Sequence, residues 1–420
     1  MTTGAKQLLA WTAIGLAGLT TATACGSASS AKAPVVRRPA EKQPAVSPPP
    51  EGGNFTFDLY KSVAAGSPQD NAVLSPLGVE LVLSMVAAGA KGPTADQLAR
   101  VLHHGATPDD LKALAALEDE LRSRNGPGLT LDLTASEWLD KAIKLYPAYR
   151  QAIEDTMGAV PHTVDFEKDA VGATKAINAD VSHVTHGKIP RLLDTVDPST
   201  ALVLVSAAYL KATWTTPFEK YDSRPADFTL LDGRVVRPMT MTHAGRYATA
   251  QGQGWRAVRL PYADGRASML VVVPDQLTAF ERSMTNATVD GIVKALGEAH
   301  GVNLSLPKFE IRTRQPLNQT LAGLGAGLVF DPDHADLTGI APAVKGNLYL
   351  SLVQHEAWVK VDEEGTEAAA ATAGVVGQAS APYAPEVFKV DRPFLFLIRD
   401  DATGAVLFLG RVTDPGVGAK

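Results

Sequence analysis

The feature that most restricts the fold is a stretch near the C-terminus where a strand runs without a break into a long series of small, uncharged residues. From Val353 to Asp362 the residues Ala357, Val359 and Val361 alternate with Glu356, Trp358, Lys360 and Asp362, the period of a strand with one buried face. Glu363-Glu364-Gly365-Thr366-Glu367 then leads into Ala368 to Pro385, which carries no charge. Small residues with no amphipathic period form flexible linkers in many chains. This segment instead lies inside a globular sequence, ahead of a second strand-like region from Glu386 to Ile398, and long loops inside compact domains are usually functional. Written as an extended chain, Thr366, Ala368, Ala370 and Thr372 fall on one face and Glu367 on the other. The segment can therefore join a sheet beside Val353 to Asp362 with its one charge outward.

The rest of the chain is globular but for its N-terminus. With 420 residues, 45% of them hydrophobic and 20% charged, it can bury a large core. A net charge of -6 and the lack of any basic cluster give no reason to expect a nucleic-acid partner. Length alone suggests two or three domains, yet no Pro/Gly-rich break interrupts Asn54 to Pro415. Residues 1–25 read as an export signal: Lys6, an apolar run from Leu8 to Leu19 too short to span a bilayer, then Ala22-Thr23-Ala24 before Cys25. Cys25 is the only cysteine, so no intrachain disulfide forms. Residues 26–53 are rich in Ala, Ser and Pro and read as a tether that packs no core.

Within the globular part, Phe55, Leu59 and Val63 recur at helical spacing, and Val79 to Val86 is a helix too apolar to lie on a surface. Thr94, after the Gly89 to Pro93 turn, is placed to cap a further helix. Leu202 to Leu210 is an apolar strand. Signals for an enzyme fail one by one. His355-Glu356 lacks the second histidine of a zinc helix, and adjacent His103 and His104 have no metal-ligand spacing. Gly323 to Gly327 makes a poor phosphate loop, and no serine sits in a nucleophile elbow. Neither a metal nor a cofactor is expected.

Glu363 to Thr372 resembles the hinge of the serpins. Asp391 to Ile398 followed by Phe408 to Val412 resembles their C-terminal strands. Asn71 to Pro76, Ile177 to Ile189, Lys211 to Trp214 and Val302 to Phe309 extend the likeness in chain order, although Asp180 stands where a Trp is usual. The resemblance implies an α+β fold over residues 54–415, with a large central mixed sheet, further sheets, about nine helices and an exposed reactive-centre loop at about 363–385. It implies a hinge of Glu363, Gly365, Thr366, Glu367, Ala368, Ala369, Ala370, Ala371 and Thr372. It also implies a sheet-opening region at Ser75, Ser206, Trp214 and His355. Here the chain departs from the family, with Gly78 in place of a Ser and Ser206 in place of an Asn. Cys25 after a small-residue site resembles the lipobox of bacterial lipoproteins, while Ala22-Thr23-Ala24 equally fits ordinary secretion.

The activity that follows from the resemblance is inhibition of a serine protease, not catalysis, by a monomer consumed in the reaction. Family spacing puts the attacked bond at Ala379-Ser380, with cleavage after Gln378, Val376 or Tyr383 left open. A small residue there suits an elastase-like or subtilisin-like enzyme. The protease forms an acyl complex, and the freed segment from Thr366 to about Gly377 enters the sheet. A dozen new backbone hydrogen bonds contribute on the order of 10 kcal/mol, comparable with the stability of a whole domain, so the uncut form is held by a barrier. The alternative is a non-inhibitory serpin acting as a surface carrier. An exported protein of this kind sits on the outer face of the cell membrane through a lipid on Cys25, or is secreted.

Overall fold

The computed structural model describes residues 54–342, 347–366 and 385–417. Six strands among them form the central sheet: β1 (Leu129–Asp140), β2 (His162–Val164), β3 (Leu202–Thr213), β4 (Phe309–Pro316), β5 (Leu352–Val361) and β6 (Gly365–Thr366). Their order across the sheet is β4, β5, β6, β3, β1, β2, and β5 also pairs directly with β3. The sheet is mixed, with β3 parallel to β5 and antiparallel to β1. A second, nine-stranded sheet runs from the edge strand Ala72–Leu74 through Val406–Val412, Phe394–Asp400 and Ala267–Pro274, and ends in the short edge strand Glu386–Lys389. Nine α-helices are described. The expected fold class is therefore the observed one.

Helix Pro76–Gly89 owes its place to its composition. An apolar helix has no face to offer water, and Leu77, Val79, Leu81, Val82, Leu83 and Val86 are all buried. It packs behind the central sheet against β1 and β3, within the main core that the two sheets share. Its neighbour Gly92–Leu102 starts differently from expectation. Thr94 lies inside the first turn, buried, and its hydroxyl accepts from the Asp336 amide at 3.0 Å, so it ties the helix to a distant loop and does not cap it.

The front of the sheet carries its own, separate core. Helix Phe166–Val184 and the segment that follows it place Phe166, Ile177, Val181, Ile189, Leu192 and Val196 against Trp138 of β1 and Val203, Val205 and Ala207 of β3. This layer overturns the reading of β5 as a strand with a single buried face. Glu356 is 0% exposed and Trp358 5% exposed, because the chain after helix Phe166–Val184 lies over them.

Candidate functional site

The site is the seam between β3 and β5. The two strands pair in parallel from Leu352 opposite Val203 to Ala357 opposite Ala208. Above that point they are no longer paired with each other, and β6 is wedged between them. Thr366 pairs antiparallel with Val361 of β5 and with Ala212 of β3, and Gly365 lies opposite Thr213. The wedge is one arm of a tight hairpin closed by reciprocal bonds between Asp362 and Gly365, at 3.0 and 3.3 Å. Gly365 is required by close approach: a Cβ there would lie 2.0 Å from the Ala212 carbonyl oxygen.

Each residue of the hairpin is fastened. Thr366 is fully buried, with its hydroxyl 2.7 Å from that of Tyr262. Tyr262 stacks on Trp214 at 4.7 Å, and the Trp214 indole donates to the Asp362 carbonyl at 3.0 Å. The backbone amides of Phe218 and Trp214 donate to the carbonyls of Glu363 and Glu364. The Glu363 carboxylate accepts from Ser223 at 2.6 Å and from the Lys308 ammonium at 2.9 and 3.0 Å. Burial alone would raise this carboxyl, but the Ser223 and Lys308 contacts outweigh it and hold it below the usual carboxylate range. Glu364 is paired with Lys220 at 2.6 Å. The hinge is therefore not wholly exposed, as the sequence reading has it: its chain up to Thr366 is already built into the sheet.

Lower on the seam lies a polar latch. His355 of β5 faces Ser206 of β3 in the parallel register. Its Nε2 accepts from the Ser75 backbone amide at 3.2 Å, so the proton sits on Nδ1, within 3.2 Å of the Ser206 carbonyl and 3.1 Å of its hydroxyl. Complete burial pushes the imidazole down to about 4, against the opposing pull of the Ser206 backbone, and keeps it neutral. Two departures from the family pattern belong together here. A Cβ on Gly78 would lie 2.8 Å from the Ser206 hydroxyl, so the bare glycine leaves that hydroxyl room beneath the sheet.

Ser75, Ser206 and His355 thus meet in one cluster, while Trp214 belongs to the hinge fastening above it. Tyr262, Lys308 and Ser223 hold the hinge, and the sequence reading did not name them as site residues. The one clue to a partner for them was Glu363 itself, a charge at the head of a segment that must be buried. Cys25, residues Glu367 to Thr372 of the hinge, and Ala379 and Ser380 lie outside the described residues. Among the described residues no group of three or more His, Cys, Asp or Glu is arranged to hold a metal, and no helix is long and apolar enough to cross a membrane.

The described arrangement is a short hairpin wedged between two strands of a mixed central sheet, above a buried Ser75–Ser206–His355 cluster. The family model described as "Serpin (serine protease inhibitor)" matches residues 51–415, and the chain belongs to the serpin family. It is 33% identical to the leukocyte elastase inhibitor of Xenopus tropicalis over 372 residues, 86% of this chain and 98% of that one. The native state of the thermophilic serpin tengpin superposes with a TM-score of 0.79 at 28% identity, covering 86% of this chain and 93% of that one. Thyroxine-binding globulin in complex with thyroxine has a TM-score of 0.77 at 24% identity over 87% and 98%, a likeness of fold alone.

Proposed function

We propose that the protein inhibits serine proteases of the elastase or subtilisin type by covalent trapping coupled to loop insertion. The protease serine attacks the Ala379 carbonyl, an ester forms, and the amine of Ser380 leaves. The cut then frees the loop to continue the wedge. The observation that carries this reading is the position of Thr366, antiparallel to both β5 and β3 at the head of their seam. Each further residue added in that register moves one pair down both neighbours at once. Glu367 comes to lie between Lys360 and Lys211, Thr372 between His355 and Ser206, and Val375 between Leu352 and Val203. Insertion in this register keeps Thr366, Ala368, Ala370 and Thr372 on the core side, where only small side chains fit, and Glu367 on the front. Dragging the acylated protease along distorts its catalytic geometry, where about 1 Å of misplacement already costs on the order of a hundredfold in rate. The leukocyte elastase inhibitors among the relatives support the choice of target class.

Incubation with elastase or subtilisin, followed by denaturing electrophoresis, tests the reading. The expected result is a band at the summed mass and a higher melting temperature for the nicked protein. Clean nicking with an active protease and no thermal gain overturns it in favour of a carrier. We further propose that residues 1–25 direct export, that Cys25 carries a lipid, and that residues 26–53 tether a monomeric domain of residues 54–415 to the outer face of the cell membrane. Release of the Cys25→Ser protein into the medium is the expected outcome, and retention on cells removes the lipid.

A further inference from the structure

On the back face of β1 the residues Leu129, Leu131, Leu133, Ala135 and Leu139 turn into the main core, and one position in that row is a carboxylic acid, Glu137. It is 1% exposed. A carboxylate taken out of water is costly unless a cation meets it. The side-chain partner of Glu137 among the described residues is instead a phenol: the Tyr149 hydroxyl lies 3.2 Å from Oε1 and 3.0 Å from Oε2. The same hydroxyl lies 3.1 Å from the Met85 carbonyl of helix Pro76–Gly89. Tyr149 is itself buried, on helix Pro147–Met157. One hydroxyl therefore joins a strand and two helices.

A phenol has a single proton to donate and cannot serve two acceptors at once. With Glu137 ionised, either the carboxylate or the Met85 carbonyl goes without it. With Glu137 protonated both contacts are made, because the carboxyl donates to the Tyr149 oxygen and Tyr149 donates to Met85. The charged groups on the surrounding elements do not alter this. Helix Pro108–Arg122 borders a cavity of about 280 Å3 beside the site, where Glu118 and Asp119 add negative charge and Arg122, 55% exposed, is bonded to Glu118. Helix Pro76–Gly89 has one charged residue, Glu80, which faces His104 at 3.7 Å. Helix Pro147–Met157 buries Tyr149, Ile153 and Met157 and carries Arg150, Glu154 and Asp155 off that stripe. From β2, His162 stacks on Trp138, and β3 sets Leu204 opposite Glu137. Burial, opposed by the Tyr149 bond alone, pushes the Glu137 carboxyl up to about 7.

We propose that a proton on Glu137, relayed as hydrogen bonds through Tyr149 to Met85, is a pH-sensitive switch that fastens helix Pro147–Met157 to β1 and to the apolar helix, and loosens as pH rises. Once the corner opens and water enters, Glu137 returns toward the ordinary 4.5, so the closed form binds the proton more tightly. The fastening is complete below about pH 4.5, weakens as pH rises, and changes no further above about 7. The switch is independent of the inhibitory reading above.

The test compares the full chain with Glu137→Gln, which keeps the shape and a donor of the protonated acid but cannot titrate. At pH 5 the infrared band of a protonated carboxyl should be stronger in wild type than in the variant, a difference that sets Glu137 apart from Glu80, which burial also raises. Deuterium uptake by helix Pro147–Met157 is then measured in both proteins at each pH, so that intrinsic exchange rates cancel. The wild-type rate divided by the variant rate should rise on the order of fiftyfold between pH 5 and 8 and then level off. Tyr149→Phe keeps the ring in the core but loses the link to Met85. It should exchange about fivefold faster than wild type at pH 5, the loss of about one net hydrogen bond, while its carboxyl band persists to higher pH. Equal bands in wild type and Glu137→Gln at pH 5, or a rate ratio that stays flat from pH 5 to 8, overturns the switch. Should Glu137→Gln fail to fold, equal exchange in Tyr149→Phe and wild type at pH 5 overturns it alone.

Discussion

Along the seam between β3 and β5 the upper and lower ends are built on opposite principles. At the top the strands have already parted, and the space between Val361 and Ala212 is filled by Thr366, whose backbone pairs with both. Below, six consecutive residue pairs from Leu352/Val203 to Ala357/Ala208 close the sheet in parallel, with His355 and Ser206 bonded across it and Arg312, bonded to the Lys188 carbonyl, lying over its front. The upper end needs nothing more than a supply of small residues. The lower end has to be unmade before it can be remade, since the parallel ladder must part for two antiparallel ones to form. Antiparallel pairing is slightly the more stable per residue, and it gives a new strand partners on both sides. Under the proposed insertion, a favourable end state behind this closed lower seam would constitute a kinetic barrier, approached from the open upper end.

The contrast is broken most severely at its upper end. Thr366→Arg puts a cation into a fully buried site whose nearest polar partner is the Tyr262 hydroxyl, at a desolvation cost of several kcal/mol. The wedge is then expelled and insertion has no starting point. The expected outcome is that the band at the summed mass falls by about a hundredfold or more while cleavage of the loop continues. Unchanged trapping would show that the Thr366 site is not where insertion begins.

A smaller effect is expected from the latch, and it depends on pH. In the closed form His355 is neutral, with its value pushed down to about 4; once the strands part and water enters, it returns toward the ordinary value near 6.5. The open form therefore binds the proton more readily. The latch contributes in full above about pH 6.5, weakens as pH falls, and changes no further below about 4. At pH 5 this amounts to about a thirtyfold shift toward opening. Global stability is the wrong measure, because burial pushes Glu80 and Glu137 up to about 7, and these carboxyls favour the folded protein as pH falls through the same range. The rate at which the uncut wild-type chain takes up an acetylated peptide copying Thr366 to Gly377, divided by that in His355→Gln, isolates the imidazole. A ratio that rises between pH 7 and 5 is the expected result, and a flat ratio removes the latch.

How much of this was legible in the sequence follows the range of the contacts. Local pattern sufficed for the existence of β5 and for the apolar helix at Pro76–Gly89, because period and composition act over neighbouring residues. It failed where an element from far away supplies a face. The burial of Glu356 and Trp358 depends on chain near Lys188, some 170 residues upstream, and no property of β5 announces that cover. Thr94 has the look of a cap until the Asp336 amide claims its hydroxyl. The latch residues Ser75, Ser206 and His355 were named through family resemblance. That Gly78 faces Ser206, with 2.8 Å between a would-be Cβ and the hydroxyl, becomes visible only when the helix is set beneath the sheet.

The smallest expected effect concerns the first step downward from the wedge. In the register set by Thr366, Glu367 arrives on the front of the sheet between Lys360 and Lys211. The Lys360 side chain is 45% exposed, lies opposite Glu310 of β4 and reaches Asp362 at a loose 3.8 Å, so it can turn toward an arriving carboxylate. Ion pairs this exposed are worth about 0.2–1 kcal/mol each, and salt weakens them further. Glu367→Gln should therefore lower the rate of insertion about twofold at low salt and leave it nearly unchanged at high salt. Glu367→Lys should lower it by somewhat more, and Lys360→Glu in the same chain should restore it. Rescue by Lys360→Glu fixes the pairing to one residue. Its failure, with the single substitution still harmful, means that the entering strand runs in a different register from the one Thr366 begins.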